Sequence, residues 1–433
     1  MKRIHIKIIL LAALSVCLAD CSDNGSDDTP VVPKDTVVVT KTDSFAVSKI
    51  NITTDGGKAI TGKESSDYVT CSVSVTSDTK DWNYSGTGKI RGRGNSTWLW
   101  YPKKPYRIKL DKKASILGLG EDKDWVLLAN YRDPTNMMTT FVLNVAAGEG
   151  MAYTNHSRFV EVTLNGNYVG LYLLTEQVEQ GKNRVNIDDK KGVLLSLDAD
   201  DGPELSPNNT DNFWSEVYQM PVCVKYPDDV TSTAKTTISA DFAKLEKAMQ
   251  QADYTTVSGM MDIKSFIKYM LIQELIYNVE VAAPRSIYMY KDKGGKWMMG
   301  PMWDFDAGFD FDWGTMYTGH TYFTSYQELV LGTDPANHTG YGVPEFFTDM
   351  FRSRQFVTEY KAAWKAMKDK IMTDYWSLTD KYISAATDAM ARNYTRWPID
   401  RKYDTEITKM KKWLTNRVGY LDKVINNYPS GSK

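Results

Sequence analysis

The densest concentration of chemistry-bearing residues is the segment from Gly300 to Gly314, where Asp304, Asp306, Asp310 and Asp312 are interleaved with aromatics directly after an apolar run. On an extended chain Asp304 and Asp306 point to one side, because successive side chains alternate between faces. Two hard oxygen donors at a strand end suit Mg2+, which takes a few carboxylates and completes its shell with water and substrate phosphate oxygens. The same residues would also suit a structural Ca2+ site, or turn carboxylates that accept backbone amides. A second cluster is basic, with Lys89, Arg91 and Arg93 around Gly92 and Gly94, followed by Lys103, Lys104, Arg107 and Lys109. Glycines allow close backbone approach to a ligand, and cations supply charge for a phosphate chain. Arg107 and Lys109 share a strand face, and they are the candidates for phosphate contact. No Gly-x-x-x-x-Gly-Lys-Ser/Thr sequence occurs, which leaves a P-loop unsupported. A third candidate is Glu176, within Thr175 to Glu179, either orienting Lys109 or standing as an exposed carboxylate. The four histidines, His5, His156, His320 and His338, have no metal-ligand spacing, which argues against a zinc site or a Ser-His-Asp triad.

The elements that must position these residues follow from periodicity. From Phe45 to about Leu110 the pattern is mostly period two, as in Tyr68 to Val75 and in Pro105 to Leu110, where Tyr106, Ile108 and Leu110 face a core. Asp133-Pro134 predicts a helix N-terminus over Thr135 to Ala147. Arg158 to Leu164 and Tyr168 to Thr175 flank Asn165-Gly166-Asn167 and predict a hairpin, with a further strand over Gly192 to Asp198. Phe242 to Met249 and Ile263 to Tyr277 have helical spacing, whereas Ser286 to Tyr290 and Lys296 to Met302 read as two strands joined by a turn. From Phe346 onward the chain reads as helical, ending in the apolar stripe of Met410, Trp413, Leu414, Val418, Leu421 and Ile425. The fold class expected is α+β, with a β-rich N-terminal half and a helical C-terminal half.

Composition narrows the function classes. In 433 residues, 52 Lys+Arg against 54 Asp+Glu give a net charge of -2, which argues against a nucleic-acid partner. With 42% hydrophobic and 24% charged residues the chain can bury a core. Residues 1 to 20 read as an export signal, with Lys2, Arg3 and Lys7 before the apolar run Ile8 to Leu18, too short to span a bilayer. Leu18-Ala19-Asp20-Cys21 resembles a bacterial lipobox, with Asp20 where a small residue is usual, and makes Cys21 the lipidation site and membrane anchor. The polar, acidic flank after Cys21 resembles the surface-export tags of Bacteroidetes lipoproteins. Residues 21 to 44 read as a linker, and 45 to 430 as the folded domain. The expected location is the outer membrane, on its periplasmic or cell-surface face. Cys71 and Cys223 read as two buried free thiols.

Taken in order, seven stretches resemble the CotH kinase family, over roughly Phe45 to Tyr428: Ile90 to Trp98, Lys103 to Leu110, Lys123 to Asn130, Arg158 to Val162, Gly170 to Val178, Lys182 to Asn186 and Gly300 to Asp306. The resemblance implies an atypical protein-kinase-like fold and ATP-dependent phosphorylation of Ser or Thr on a protein, with Mg2+, or Mn2+ in its place, bridging the phosphates. It assigns Asp304 to metal, with Asp306 beside it. Where relatives carry a catalytic aspartate after the helix, Asn278-Val279-Glu280 stands here, so the role falls to Glu280. Glutamate keeps the carboxylate on a longer arm, and a displacement of about 1 Å can cost about a hundredfold in rate. The second reading is a surface lipoprotein with a weakened kinase-like site that binds glycan or protein. Glycoside hydrolysis is a weaker third, because two carboxylates this close in sequence do not suggest groups on opposite sides of a sugar.

Overall fold

The computed structural model describes residues 45–312, 321–399 and 401–433. The export signal, Cys21, the linker, and the end of the acidic segment with His320 lie outside the described residues. The first layer is a closed barrel of β1 (Ser48–Thr54), β2 (Val69–Thr76), β3 (Tyr84–Gly92), β4 (Tyr106–Ala114), β5 (Asp122–Leu128), β6 (Ser157–Leu164) and β7 (Asn167–Glu176), in the order β1-β2-β3-β4-β5-β7-β6. Neighbours are antiparallel except at the closure, where β1 runs parallel to β6. Alternation produces this layer: Cys71, Val73 and Val75 of β2 and Tyr106, Ile108 and Leu110 of β4 fill the lumen. The β6–β7 turn at Asn165-Gly166 has positive φ at both residues, 50° and 77°, the twist that a two-residue hairpin demands.

A second sheet contains β8 (Val193–Leu197), β9 (Asn212–Trp214), β10 (Pro221–Tyr226), β11 (Ile287–Lys291) and β12 (Trp297–Met299), in the order β12-β11-β8-β10-β9. The strand expected over Gly192 to Asp198 thus joins this sheet and does not extend the hairpin. The helices are α2 (Met138–Gly148), α3 (Ser232–Gln250), α4 (Tyr254–Met260), α5 (Ile263–Leu275), α6 (Arg354–Lys370), α7 (Trp376–Arg396) and α8 (Tyr403–Asn426), with α5 against β12 of this sheet and α7 against β7 of the barrel, while the five-residue α1 (Ser96–Trp100) lies between β3 and β4 in the chain. The helix expected at Thr135 begins at Met138, because Asp133 spends one carboxylate oxygen on the Thr135 amide at 2.8 Å and the other on the Met138 amide at 2.9 Å. The architecture is mixed helix and sheet, as the patterning implied. Among the described residues no helix is long and apolar enough to cross a membrane.

Two features set the frame for the site. Outward-facing Val126 and Leu128 of β5 meet Val178, Val185, Leu194, Tyr290 and Trp303 in an apolar seam between barrel and sheet. At the far side of the helical core, Arg417 of α8 and Glu274 of α5 form an ion pair at 2.8 Å with no solvent exposure on either side chain. Glu274 also accepts the Val330 and Leu331 amides at 3.1 and 2.7 Å, and Arg417 donates to the carbonyls of Leu275, Tyr326 and Glu328. The C-terminal end of α5 is therefore fixed to the loop before α6. Cys71 and Cys223 are free, buried thiols, the first in the barrel and the second on β10, and burial pushes both up to about 12.

Candidate active site

The site is built where α5 ends and where β12 ends. After α5 the chain turns through Tyr277, with φ of 50°, to Asn278, and enters a short 3-10 turn over Val279–Val281 that carries Glu280. Asn278 is buried and joins two segments, accepting the Glu280 amide at 3.3 Å and donating to the Asp304 carbonyl at 3.1 Å. The acidic segment approaches from the other side. It is not extended there: Asp304, Phe309 and Asp310 all have φ near 60°, a region that non-glycine residues rarely adopt. Such residues, one at Asp304 and two adjacent at Phe309 and Asp310, are found most often at functional sites. Gly308 allows the close approach, since a Cβ there would lie 3.0 Å from the Ile276 carbonyl. The positive φ at Asp304 breaks the extended path there, so the placement of Asp304 relative to Asp306 is not the strand alternation expected.

Glu280, Asp304 and Asp306 interact electrostatically, and no carboxylate of the three is neutralised by close contact with a lysine. Loss of surrounding water, then the charges of Asp306 and Glu280, push the Asp304 carboxyl well above its ordinary value, with Arg132 and Arg93 opposing. Asp304 is nonetheless exposed to solvent, so its like-charged neighbours are the part of this shift that the geometry supports. Burial, and then Asp306, push Glu280 up to about 7, with Arg285 and Arg132 opposing. Asp306 is steadied by Arg132, whose guanidinium reaches its carboxylate at 3.2 Å and its carbonyl at 3.0 Å and lies over the Phe311 ring. Burial opposes the charge on Arg132, yet Asp306 holds it firmly protonated.

The basic strand face adjoins the acidic segment through Arg93. Arg91 is opposite Arg107 and Lys89 is opposite Lys109, so four cations line one face of β3 and β4. Like charges directly opposite one another repel. Acids offset part of this, as Asp124 takes Arg107 at 2.7 Å and Lys109 at 3.4 Å, and Glu179 lies 3.5 Å from Arg107. Burial and the Asp124 charge push Glu179 up to about 7. Arg93, just beyond β3, lies over the Trp303 ring and feels the Asp304 charge, while forming no ion pair within 4 Å among the described residues.

One expected pairing is overturned. Glu176 does not orient Lys109, because Glu176 is in register with Trp125, whose side chain fills the barrel, whereas Lys109 is in register with Asp124 on the outer face. The Glu176 carboxylate instead accepts the His156 amide at 2.7 Å and meets its ring Nδ1 at 3.0 Å. Although burial opposes the charge, His156 holds Glu176 below its ordinary value. Arg93, Arg132, Asn278 and Arg285 are the neighbours that periodicity did not select. Only Arg93 carried a signal, as the cation between two glycines.

The donor set can be tested against a divalent cation. Among the described residues no group of three or more His, Cys, Asp or Glu side chains is gathered to hold a metal alone. A site with Asp304 and Asp306 as its protein donors fits Mg2+, which keeps several waters and takes the rest of its ligands from phosphates. The raised Asp304 carboxyl fits as well, since a bound cation reverses the electrostatic cost of ionising it. A family model described as CotH kinase protein matches residues 90–421, a span that holds Arg93, Arg107, Lys109, Glu280 and Asp304. No curated protein matches the chain.

Proposed function

Because the chain belongs to the CotH kinase family, we propose that it transfers the γ-phosphate of ATP to a Ser or Thr hydroxyl of an exported protein, on a kinase-like frame of barrel lobe and helical lobe. The observation that carries this reading is that Asn278 ties the turn holding Glu280 to the Asp304 carbonyl, while Arg93, at the end of the cation-lined face of β3 and β4, lies over Trp303 beside it. Asp304 and Asp306 would hold Mg2+ or Mn2+, which when bound neutralises phosphate charge. Arg93, Arg107 and Lys109 would supply positive charge to the phosphates, the last two while also held by Asp124. Glu280 takes the proton of the acceptor hydroxyl as its oxygen bonds to the γ-phosphorus and the bond to the bridging oxygen of ADP breaks. Burial raises the proton affinity of the Glu280 carboxyl, which suits a group that must take a proton at neutral pH. Arg132 holds Asp306 and its backbone in place.

The test is transfer of labelled γ-phosphate from ATP to protein in the presence of Mg2+ or Mn2+. Transfer that vanishes in Asp304→Ala supports the reading, and Glu280→Asp is expected to change the rate by restoring the shorter acid. Absence of both transfer and ATP binding in the wild-type protein would overturn it. The same reading takes residues 1 to 20 as an export signal and Cys21 as the lipid anchor to the outer membrane. Palmitate incorporation in cells, lost in Cys21→Ala, tests that part separately.

A further inference from the structure

A chain of polar contacts leads from the barrel to Glu280 without passing through the acidic turn. Lys63 donates to the Asn95 side-chain oxygen at 2.7 Å, and the Asn95 amide donates to Asp200 Oδ2 at 3.0 Å. Asp200 Oδ1 accepts from Arg285 Nε at 2.9 Å, and Arg285 Nη1 lies 3.9 Å from Glu280 Oε2, an ion pair longer than a hydrogen bond. The loop that presents Asp200 is tied down independently. Asp198 accepts the Asp200 and Ser286 amides at 3.0 and 3.2 Å, and the Ala199 amide donates to the Pro284 carbonyl at 2.7 Å. Arg285 follows Glu280 closely in sequence, and its own amide donates to the Glu280 carbonyl at 3.3 Å, so the guanidinium folds back over the turn that carries the acid.

We propose that Arg285 is a positioning residue for Glu280, held in place by Asp200, and that Asn95 couples this placement to the glycine-rich segment that carries Arg93. The inference rests on the phosphoryl-transfer reading above. A planar guanidinium can serve two carboxylates in fixed directions at once, which a lysine ammonium cannot. Closure of the segment around Gly92 and Gly94 on a phosphate would then be transmitted through Asn95 and Asp200 to the acid that receives the hydroxyl proton. The phosphate contact and the proton acceptor would be set in one step.

The experiment compares wild type with Arg285→Met, Arg285→Lys, Asp200→Asn and Asn95→Ala in the full chain, measuring Mg-ATP affinity, kcat and KM, and hydrogen exchange of the amides at residues 93–97. Arg285→Met is expected to lower kcat by about 10- to 100-fold, as misplacement of a catalytic group by about 1 Å does, with Mg-ATP affinity within about threefold of wild type. Arg285→Lys should recover part of the loss, since it keeps the charge but not the fork. Asp200→Asn and Asn95→Ala should speed exchange at residues 93–97 whether or not transfer is measured. An Arg285→Met protein with unchanged kcat, or with its loss confined to Mg-ATP affinity, overturns the positioning role alone. Unchanged exchange in both Asp200→Asn and Asn95→Ala overturns the coupling. A folded wild type that transfers no phosphate overturns the positioning role together with the reading beneath it, and is recognised because the failure is already present before any substitution.

Discussion

Glu274 and Glu280 stand six residues apart, one near the end of α5 and the other in the turn that follows, and they meet opposite electrostatic circumstances. Glu274 is wholly enclosed, but every demand of its carboxylate is met by Arg417 and by the Val330 and Leu331 amides. Glu280 is less enclosed, with 13% of its side chain exposed, and its one ion pair among the described residues is the long contact to Arg285 at 3.9 Å, while Asp306 and Asp200 oppose its charge and Arg132 favours it from further off. Burial raises both carboxyls above their ordinary value, so the direction of the shift does not separate them. What separates them is whether the protein supplies the counter-charge itself. A carboxylate whose partners are complete holds the fold together, and one whose neighbours are other carboxylates is arranged for a cation or a proton that comes from outside.

The contrast can be broken by substitution. The largest effect is expected for Arg417→Met, which leaves Glu274 buried and unpaired and should cost about 3–5 kcal/mol in denaturant unfolding, with Mg-ATP affinity of the remaining folded protein unchanged. Adding Glu274→Leu should return only part of that stability, because the Val330 and Leu331 amides lose their acceptor. Next in size, Asp304→Asn should lower phosphoryl transfer by about 10²- to 10³-fold while raising the melting temperature of the metal-free protein, since it removes one of three like charges. A fall in melting temperature would make the acid turn structural, like Glu274.

A smaller effect concerns Glu280 and pH. Its folded value of about 7 lies above the unfolded value of 4.5, so the folded state holds the proton more tightly. Its contribution to stability is complete below pH 4.5 and is lost as pH rises to 7, and Glu280→Gln should remove that slope and stabilise the metal-free protein by about 2 kcal/mol at pH 8. The smallest change is expected at Lys103, a buried amine between Tyr172 and the Leu171 carbonyl with no carboxylate partner among the described residues. Burial pulls it down to about 7 from 10.5, so the unfolded chain binds the extra proton and stability rises with pH across that interval. Lys103→Met should flatten this rise, with a net gain of only about 1 kcal/mol at pH 7 because the Leu171 carbonyl is orphaned.

How far the sequence could be read depended on the range of each interaction. Alternation along β2 and β4 and the Asn165-Gly166 turn are local signals, and the barrel strands form where those signals lie. Asp304 and Asp306 could be picked out as candidates because both carboxylates sit in one short segment. Their neighbours were not, since Arg132 comes from the loop before α2 and Arg285 depends on Asp200 from the loop after β8, contacts that no periodicity encodes. The pairing of Glu176 with Lys109 failed for a more specific reason. Which face a strand residue takes is fixed by register across three strands, and one step of register exchanges a barrel-filling position for an outward one.

The parallel closure of β1 on β6 also governs how the chain can be made. β1 ends at Thr54 and its second partner begins at Ser157, so a ribosome must deliver more than a hundred further residues before the barrel can shut. Until those residues are available, one edge of β1 stands unpaired in the emerging chain. The barrel therefore cannot close strand by strand as it emerges. Its final seam is a late, non-local event, and a helper that shields the first strand until Ser157 to Leu164 appears would act during that interval.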